Sequence, residues 1–320
     1  MTFARTTRSC FASIFSAALI GVVLSACSGG TGVQNLPSAQ QSQTATTSNQ
    51  QTTSATTAAF SRFRYHLYPV HERSSAVKAQ TVNYPADLQY YGGAMVTSAL
   101  SHDVYVNCSA SCWGNPQEFL DNMNNSSFIH IVDQYVHSTA NNRYRFGLNY
   151  SATVRFTSNQ ISQAQIINIV HSAALKLGGG YSNIYNVFLP QGIDTCIEGS
   201  TSCYSPDNEA DWTFCAYHSS VDFNDKAGHV LFTVEPYQDV FGCGVFNGPN
   251  STLVDSTDST LTHEYIETVT DPDPNSAWFN QNFQDEAADL CASYDDDDFI
   301  YSHHYELQEI YSNKIHGCTN

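Results

Sequence analysis

The alternation of apolar and polar residues divides much of the chain into short strands and helices. Residues 90–107 contain a Tyr-Tyr-Gly-Gly turn and then an alternating run that predicts a strand. Residues 144–156 alternate in the same way, and Asn183–Leu189 and His229–Glu235 are apolar runs of strand length. Each run ends at or near a glycine, proline or polar cluster, so we predict separate strands. Between the last two runs we expect a long cysteine-containing loop that includes Phe214–Ser219.

Helical periodicity appears between these strands. Pro116 is placed to begin a helix that ends near Asn124, and a second helix is predicted over Ser127–Tyr135. Ser158 is expected to cap a helix that ends at the Gly178–Gly180 triplet. A last helix is predicted from near Asp255 to just before Pro272. Mixed strands and helices without a repeat predict an α/β or α+β fold, a mixed sheet with packed helices.

The first residues have the pattern of an export signal. A basic start is followed by an apolar stretch, Phe11–Leu24, and then by Leu24-Ser25-Ala26-Cys27. This ending resembles a bacterial lipobox, which implies removal of a signal peptide over residues 1–26 and lipidation of Cys27. An ordinary secretory peptide with an incidental cysteine is the alternative. Ser28 is the residue typical of outer-membrane sorting, so we expect a lipid-anchored protein of the bacterial cell envelope, on the periplasmic or the extracellular face.

The following segment differs from the rest of the chain in composition. Residues 27–59 are rich in Ser, Thr, Gln, Ala and Gly and carry no charge, so we predict a disordered tether. Residues 60–320 are then one globular domain, or two subdomains divided near residues 190–250. The chain contains 30 acidic and 12 basic residues, a formal charge of −18. Such a surface repels phosphates and excludes nucleic acid as a partner.

Eight cysteines follow the tether, and an even number in an exported chain predicts disulfides. Proximity in the sequence favours four pairs: Cys108 with Cys112, Cys196 with Cys203, Cys215 with Cys243, and Cys291 with Cys318. A thiolate metal site is the alternative, but the spacings do not repeat as paired CxxC motifs.

A His-Glu-x-x-Glu motif lies within the last predicted helix. His263 and Glu267 are four residues apart, so both side chains lie on one helical face and can bind one metal ion. Glu264 is then placed to act as a base on a water activated by the metal. The pattern is that of His-Glu-x-x-His zinc hydrolases with the second His replaced by Glu. Zinc is therefore the expected ion, although a site rich in Glu also suits other divalent cations.

Two residues are candidates for the third ligand. Asp273 has the spacing of compact metzincin sites, but the turn glycine is missing and prolines flank it. Glu286 resembles the glutamate that a following helix supplies in gluzincin sites, and Asp289 then stands where that family orients the first histidine. We favour Glu286 as the ligand with Asp289 beside it. The alternative is that the motif is a chance match and that these acids are solvated.

Other candidate residues are more weakly supported. His218 can polarise a substrate carbonyl or stabilise an oxyanion, although a packed histidine beside Cys215 is equally consistent with the sequence. The run Asp295–Asp298 suits calcium, but a solvated acidic loop explains it as well. No Gly-x-Ser-x-Gly motif occurs, which disfavours a serine hydrolase of the α/β type.

The order of short motifs resembles that of the EXORDIUM/phosphate-induced protein family and its bacterial relatives. The motifs are Tyr91-Gly92-Gly93, Tyr185-Asn186-Val187-Phe188-Leu189-Pro190, Phe214-Cys215-Ala216-Tyr217-His218-Ser219, Glu235-Pro236-Tyr237, Cys243-Gly244, Thr268-Val269-Thr270-Asp271-Pro272, Glu286-Ala287-Ala288-Asp289-Leu290-Cys291 and Gly317-Cys318. The resemblance covers most of residues 85–320. It implies a secreted protein, and the plant members lack the His-Glu pair, so membership alone does not imply catalysis.

Together these features predict an exported, membrane-tethered, zincin-like metallohydrolase that acts on peptide bonds. Its expected partners are the membrane, through Cys27, and a peptide or protein substrate. The alternative is a non-catalytic surface module that binds a glycan or a protein, with a structural metal or none.

Overall fold

A seven-stranded mixed sheet is the centre of the fold. The computed structural model describes residues 58–70, 86–282 and 284–320. The predicted signal peptide, Cys27 and nearly all of the tether lie outside these ranges. The strands are β1 (Phe60–Pro69), β2 (Gln89–Tyr90), β3 (Ala99–Val106), β4 (Tyr144–Phe146), β5 (Tyr150–Ala152), β6 (Gln160–Ile161), β7 (Asn183–Phe188), β8 (Asp194–Cys196), β9 (Cys203–Tyr204), β10 (Phe214–Phe223), β11 (His229–Glu235), β12 (Trp278–Phe279), β13 (Asp295–Ile300), β14 (His303–Gln308), β15 (Ile310–Ser312) and β16 (Gly317–Thr319).

The described α-helices are α1 (Pro116–Asn124), α2 (Asp133–Val136), α3 (Gln163–Leu177) and α4 (Thr252–Thr270). Short 3-10 helices span Ala110–Trp113, Phe128–Val132 and Asp289–Cys291. None of the helices within the described ranges combines the length and apolar character needed to cross a bilayer.

The central sheet has the order β1-β10-β11-β7-β3-β4, and β5 also pairs with β3. The pairs β11–β7, β7–β3, β3–β4 and β3–β5 are parallel. The pairs β1–β10 and β10–β11 are antiparallel. The parallel strands are buried, as expected when both faces are covered. The predicted fold class, a mixed sheet with packed helices, is confirmed.

Each face of the sheet has its own hydrophobic cluster. On one face α3 buries Ile166, Ile167 and Val170 in a cluster that also contains Val187 and Val234. On the other face α4 buries apolar residues in a cluster that includes the sheet residues Ile184, Phe188 and Leu231. Because side chains alternate along a strand, the two clusters take alternate residues of the same strands.

Helix α4 is the element that positions the candidate site. Ser251 caps it by accepting a hydrogen bond from the backbone N–H of Val254 at 3.4 Å, and it ends at Thr270 because Pro272 cannot continue a helix. Its residues from Asp255 to Thr270 are all buried, and most of them are polar. Buried polar side chains need partners, so the structure around this helix must supply them.

Several predicted elements differ from the structure. The helix predicted over Ser127–Tyr135 is a 3-10 helix followed by the single turn of α2, and the strand predicted over residues 144–156 is divided into β4 and β5. The Phe214–Ser219 block, expected in a loop, begins β10, because both faces of this strand are covered. Helix α3 begins one turn later than predicted, with Ser162 as its cap. No α-helix carries Glu286, because the backbone N–H groups of Ala288 and Asp289 donate to the Glu267 carboxylate rather than to a helix.

The four predicted disulfides are present with the expected pairing. Their Cα atoms lie 6.3, 4.0, 5.5 and 5.8 Å apart for Cys108–Cys112, Cys196–Cys203, Cys215–Cys243 and Cys291–Cys318 respectively. Cys215–Cys243 ties the central strand β10 to the segment before α4, and Cys291–Cys318 ties the C-terminal strand β16 to the turn after Asp289. Disulfides of this kind are typical of proteins from oxidising compartments.

The cap of α3 gives a stability test. Ser162 and Gln165 form a reciprocal capping box, in which each side chain accepts from the other residue's backbone N–H. We expect Ser162→Ala to lower the free energy of unfolding by about 1 kcal/mol. Ser158→Ala is the matched control and should change it by less than about 0.5 kcal/mol, because Ser158 caps no helix. Equal losses in denaturant titrations of the two variants would contradict this assignment.

Candidate metal centre

A row of polar residues crosses five strands of the sheet beneath α4. The strand register aligns Asp103, Asn186, Thr233, His218 and His66 from β3 to β1. Along each strand these residues alternate with residues of the hydrophobic cluster that contains α3. They therefore lie on the opposite face, which packs against α4. The two histidines of this row therefore meet the predicted metal-binding residues of the helix.

The His-Glu-x-x-Glu motif forms the helical side of the site. His263, Glu264 and Glu267 are all fully buried. The Nε2 atom of His263 lies 3.2 Å from Oε2 of Glu267, as the spacing of four residues predicts. The other oxygen of Glu267 accepts hydrogen bonds from the backbone N–H groups of Ala288 at 3.2 Å and Asp289 at 3.1 Å. Glu267 is therefore fixed with one free oxygen facing His263.

Gln308 fixes the ring of His263. Its amide nitrogen donates to the carbonyl oxygen of Ala288 at 2.9 Å, so its amide oxygen must face Nδ1 of His263, which lies 3.0 Å away. An amide oxygen can only accept, so Nδ1 carries the proton and Nε2 presents a lone pair. Tyr68 stacks on the same ring with centroids 3.8 Å apart. His263 is thus held as a metal ligand would be.

His218 approaches the helix from β10 in a similar state. Its Nε2 lies 3.3 Å from the backbone carbonyl of Asp271, which can only accept, so Nδ1 presents a lone pair. That Nδ1 is 3.4 Å from Oε2 of Glu264 and 3.5 Å from Oε2 of Glu267. Burial, reinforced by the positive charge that His66 and His263 can carry, holds the pKa of His218 well below its usual value. The neutral form required for metal binding is therefore favoured.

His66 and Asp289 form an ion pair at the edge of the site. Nε2 of His66 lies 2.7 Å from Oδ2 of Asp289. Burial lowers the pKa of His66, but the charge and hydrogen bond of Asp289, with Glu267 and Asp271, outweigh it and raise the pKa to about 9. Burial raises the pKa of Asp289, but the charges of His66 and His263 outweigh burial and lower this pKa to about 2. His66 is the one partly exposed histidine here, so the solvent side of the site is at β1.

The remaining buried carboxylates lack donors. Both oxygens of Glu264 and of Glu286 are without a hydrogen-bond partner, as are Oε2 of Glu267, Nδ1 of His218 and Nε2 of His263. Burial, with the charges of the neighbouring acids, raises the pKa of Glu264 and of Glu286 well above the usual range. Unpaired buried acceptors are costly, so this arrangement needs a cation or extra protons.

The distances fit a metal ion bound through nitrogen and oxygen. Tetrahedral zinc with bonds of 2.0–2.1 Å places its ligand atoms roughly 3.3 Å apart. The ligand atoms of His218, Glu264 and Glu267 all lie within 4.8 Å of one another, and those of His66, Glu267 and Asp289 form a second such group. Glu267 belongs to both groups, and its Oε2 atom lies 3.2 Å from Nε2 of His263. Glu267 is thus the residue that the candidate ligands share.

The structure brings together the three residues of the motif but arranges the acidic pair differently from the prediction. Oε2 of Glu286 lies 3.5 Å from Nε2 of His218, and Oε1 lies 3.5 Å from His66, so Glu286 faces the sheet histidines. Asp289 lies 3.5 Å from Nε2 of His263, the nitrogen that would bind metal, and not at Nδ1. The predicted orienting contact to His263 is made instead by Gln308.

The alternative third ligand, Asp273, is engaged elsewhere. Its carboxylate accepts hydrogen bonds from the hydroxyl groups of Tyr181 at 2.5 Å and Ser220 at 2.6 Å. His229 lies 3.5 Å from the same carboxylate. Asp273 therefore belongs to a polar cluster at the β10–β11 side of the sheet and is not part of the candidate metal centre.

Two contributors were absent from the sequence-based prediction. His66 lies in β1 and Gln308 in β14, far in sequence from the helix that they contact. The signal for His66 is its place in an alternating strand, where Arg64, His66 and Tyr68 share one face. That signal identifies a face but not the helix that the face meets.

No protein-family model, curated protein or solved structure matches this chain. The resemblance to the EXORDIUM/phosphate-induced protein family therefore stays a prediction based on the motifs quoted above.

The buried acid Glu235 gives a pH test of the polar face of the sheet. Burial raises its pKa to about 8, the charge of Asp103 adds to this, and the Thr233 hydroxyl opposes it. The folded protein thus holds a proton that the unfolded chain, with a pKa near 4.5, releases. Stability should fall as pH rises from 5 to 8, with Glu235 contributing about 3 kcal/mol of that loss.

Glu235→Gln should remove this contribution. The free energy of unfolding of the variant, relative to that of the wild type, should therefore be higher at pH 8 than at pH 5. Chemical unfolding at both pH values, in the presence of a chelator, measures the difference. A constant difference between variant and wild type across this range would contradict the assignment.

Proposed function

We propose that the candidate metal centre binds zinc and that the protein is a zincin-like metal-dependent hydrolase acting on peptide bonds. The observation that carries this proposal is the convergence on Glu267 of two imidazole nitrogens with available lone pairs. Nε2 of His263 lies 3.2 Å from Oε2 of Glu267, and Nδ1 of His218 lies 3.5 Å from the same oxygen. Two histidines and one glutamate are an established ligand set of catalytic zinc.

Each neighbouring side chain has a role in this proposal. His263, Glu267 and His218 hold the ion, while Gln308 and the Asp271 carbonyl keep the two imidazoles in the required tautomers. The gluzincin resemblance implies a different third ligand, Glu286, in the place that His218 takes here. The contact of Glu286 with the far nitrogen of His218 favours a supporting role for it.

Glu264 is the proposed general base. Its carboxylate has no hydrogen-bond donor and lies 3.4 Å from Nδ1 of His218, beside the shared ligand Glu267. Zinc, when bound, would lower the pKa of a water molecule and polarise the scissile carbonyl. Glu264 would take the proton from that water and later deliver it to the leaving amine.

The proposed setting is the bacterial cell envelope. The four disulfides support an oxidising compartment, in agreement with the export signal predicted over residues 1–26. We propose that lipidated Cys27 anchors the chain to the outer membrane and that the segment over residues 27–59 lets the domain reach its substrate. The acidic charge disfavours nucleic acid as a partner.

A second candidate function rests on the burial of the site. His218, His263, Glu264, Glu267 and Glu286 have no exposed side-chain surface. Catalytic zinc keeps one open position, whereas structural zinc is enclosed by protein ligands. The alternative is therefore a surface binding module for a glycan or a protein, in which the same residues hold a structural ion.

Removal of the Glu264 carboxylate tests the catalytic proposal. We expect Glu264→Gln to lower the rate of peptide hydrolysis by about 100-fold or more, because the base is lost while the metal ligands remain. Glu209→Gln, an exposed substitution of the same kind, is the matched control and should retain full activity. The assay uses zinc-loaded protein and quenched fluorescent peptides, with bound zinc measured in parallel.

The outcomes separate the two candidates. Full activity in the Glu264→Gln variant would contradict the mechanism. Zinc-loaded wild type that hydrolyses none of a varied peptide library would instead favour the enclosed structural site.

Gln308 tests the positioning of His263. We expect Gln308→Leu to weaken zinc binding about 10- to 100-fold, because Nδ1 of His263 loses its acceptor and the ring its orientation. Gln308→Glu keeps an acceptor at that place and should bind zinc more tightly than the leucine variant. Competition with a fluorescent chelator measures both affinities, and identical affinities in the two variants would argue against a positioning role.

A further inference from the structure

A second group of metal-ligating atoms lies on the solvent side of the candidate metal centre. The ligand atoms of His66, Glu267 and Asp289 all lie within 4.8 Å of one another, and of these three residues only Glu267 is also a ligand of the proposed zinc ion. The side chains of His66 and Asp289 are 13% and 8% exposed, whereas the ligands of the proposed zinc ion are fully buried. We call the proposed zinc ligands, His218, His263 and Glu267, the inner site. We call His66, Asp289 and Glu286 the outer site.

Glu286 is a buried carboxylate that faces the outer site without a partner. Its side chain has no exposed surface, and neither of its oxygens has a hydrogen-bond partner. Oε1 lies 3.5 Å from Nδ1 of His66, and Oε2 lies 3.5 Å from Nε2 of His218. An ion in the inner site would satisfy His218, His263 and Glu267 but would leave both oxygens of Glu286 unpaired. Because a buried carboxylate without a partner is costly, Glu286 indicates a further ligand on its own side of the centre.

Two divalent ions balance the charge of the whole centre better than one ion does. The carboxylates that approach the three histidines within 3.5 Å are those of Glu264, Glu267, Glu286 and Asp289. In the ionised state they carry four negative charges. One zinc ion together with a protonated His66 would supply three positive charges, whereas two zinc ions would supply four while every imidazole stays neutral. Buried charges need to be neutralised, so the charge count favours a second ion.

We propose that the outer site binds a second divalent metal ion beside the zinc ion of the inner site. Its ligands would be the imidazole of His66 and the carboxylates of Asp289 and Glu286, with Glu267 shared. The contact of 3.5 Å between His66 and Glu286 is close to the spacing of roughly 3.3 Å between the ligands of tetrahedral zinc. One nitrogen and several oxygens suit zinc and other divalent transition metals. The inference rests on the proposed function, because the inner ion is one of the two ions.

Glu267 is placed to bind both ions. Its Oε1 atom accepts hydrogen bonds from the backbone N–H groups of Ala288 and Asp289, so Oε2 is the oxygen available to metal. Two ions bound to one oxygen through bonds of about 2.0–2.2 Å lie no more than about 4.4 Å apart. This limit includes the spacing of about 3.5–4 Å found in two-metal hydrolases. The geometry therefore allows a two-metal centre in which the ions share one carboxylate oxygen.

The outer ion would be bound more weakly and would be more open to solvent than the inner ion. Nε2 of His66 and Oδ2 of Asp289 form a hydrogen bond of 2.7 Å, which the ion has to replace. We therefore expect the purified protein to retain the inner ion and to bind the outer ion only when metal is added. Because His66 reaches solvent at β1, the outer ion would supply the open coordination position that catalytic zinc needs and that the enclosed inner ion lacks.

Titration of the metal-free full chain with zinc tests the proposal. Calorimetry should resolve two binding steps of about one ion each, the second at least about 10-fold weaker than the first. His66→Asn and Glu286→Gln should each weaken the second step by about 10-fold or more and leave the first step in place, because each removes one ligand of the outer ion. Glu267→Ala should weaken both steps, since its oxygen is shared. Circular dichroism verifies that each variant is folded.

His171→Asn is the matched control for His66→Asn. The side chain of His171 is 18% exposed, and its Nε2 atom lies 2.7 Å from a carboxylate oxygen of Asp225, as that of His66 does from Asp289. It lies on α3, which packs against the opposite face of the sheet, so the variant should keep both binding steps. Cobalt(II) at two equivalents should give the electron paramagnetic resonance spectrum of two spin-coupled ions in the wild type and of one isolated ion in His66→Asn.

The results separate failure of the outer site from failure of the proposed function. A single zinc step in the wild type would overturn the outer site and leave the inner site in place. A second step of undiminished affinity in both His66→Asn and Glu286→Gln would also overturn it, because such an ion binds elsewhere on the acidic surface. Wild-type protein that binds no zinc at all would contradict the proposed function itself.

Discussion

The burial of α4 is the constraint on which the rest of the structure depends. This helix is covered from Asp255 to Thr270, yet only Leu261, Tyr265, Ile266 and Val269 contribute large apolar side chains. Its other buried positions carry hydroxyl groups, carboxylates and an imidazole. A helix of this kind is stable in a protein interior only if its charged groups are neutralised or paired. The surrounding sheet and hairpin can therefore be understood as the partners of this one helix.

The partners differ along the helix, and the difference determines the chemistry of each half. The second half meets the sheet, which supplies His66 and His218, and the combination of imidazole and carboxylate suits zinc. The first half meets β14, on which Glu306 is also buried. Gln308, two residues after Glu306 on the same strand face, connects the two halves by its contact with His263.

Local features were predictable from the sequence because their causes are local. Pro116 begins α1 as expected, and β11 has the predicted limits, since an apolar run bounded by turn residues fixes both ends. The disulfides join cysteines that are neighbours in sequence, so proximity was sufficient. The contact of His263 with Glu267 follows from helical spacing alone.

The remaining features depend on the pairing of distant segments. The register that brings His66 beside His218 joins residues about 150 positions apart, and no local pattern encodes it. The relative places of Glu286 and Asp289 depend on a turn rather than the predicted helix, because Glu267 binds the backbone N–H groups of that turn. The gluzincin resemblance therefore identified a segment that lies beside the motif helix, but it implied a different geometry within that segment.

The most direct test of this account is the metal content of the purified protein, measured by elemental mass spectrometry. We predict about one zinc per chain, lost in the His263→Ala/Glu267→Ala variant while the disulfide-bonded fold is retained by circular dichroism. Folded wild-type protein that binds no zinc, even after dialysis against the ion, would contradict the central claim that the buried face of α4 is a metal centre.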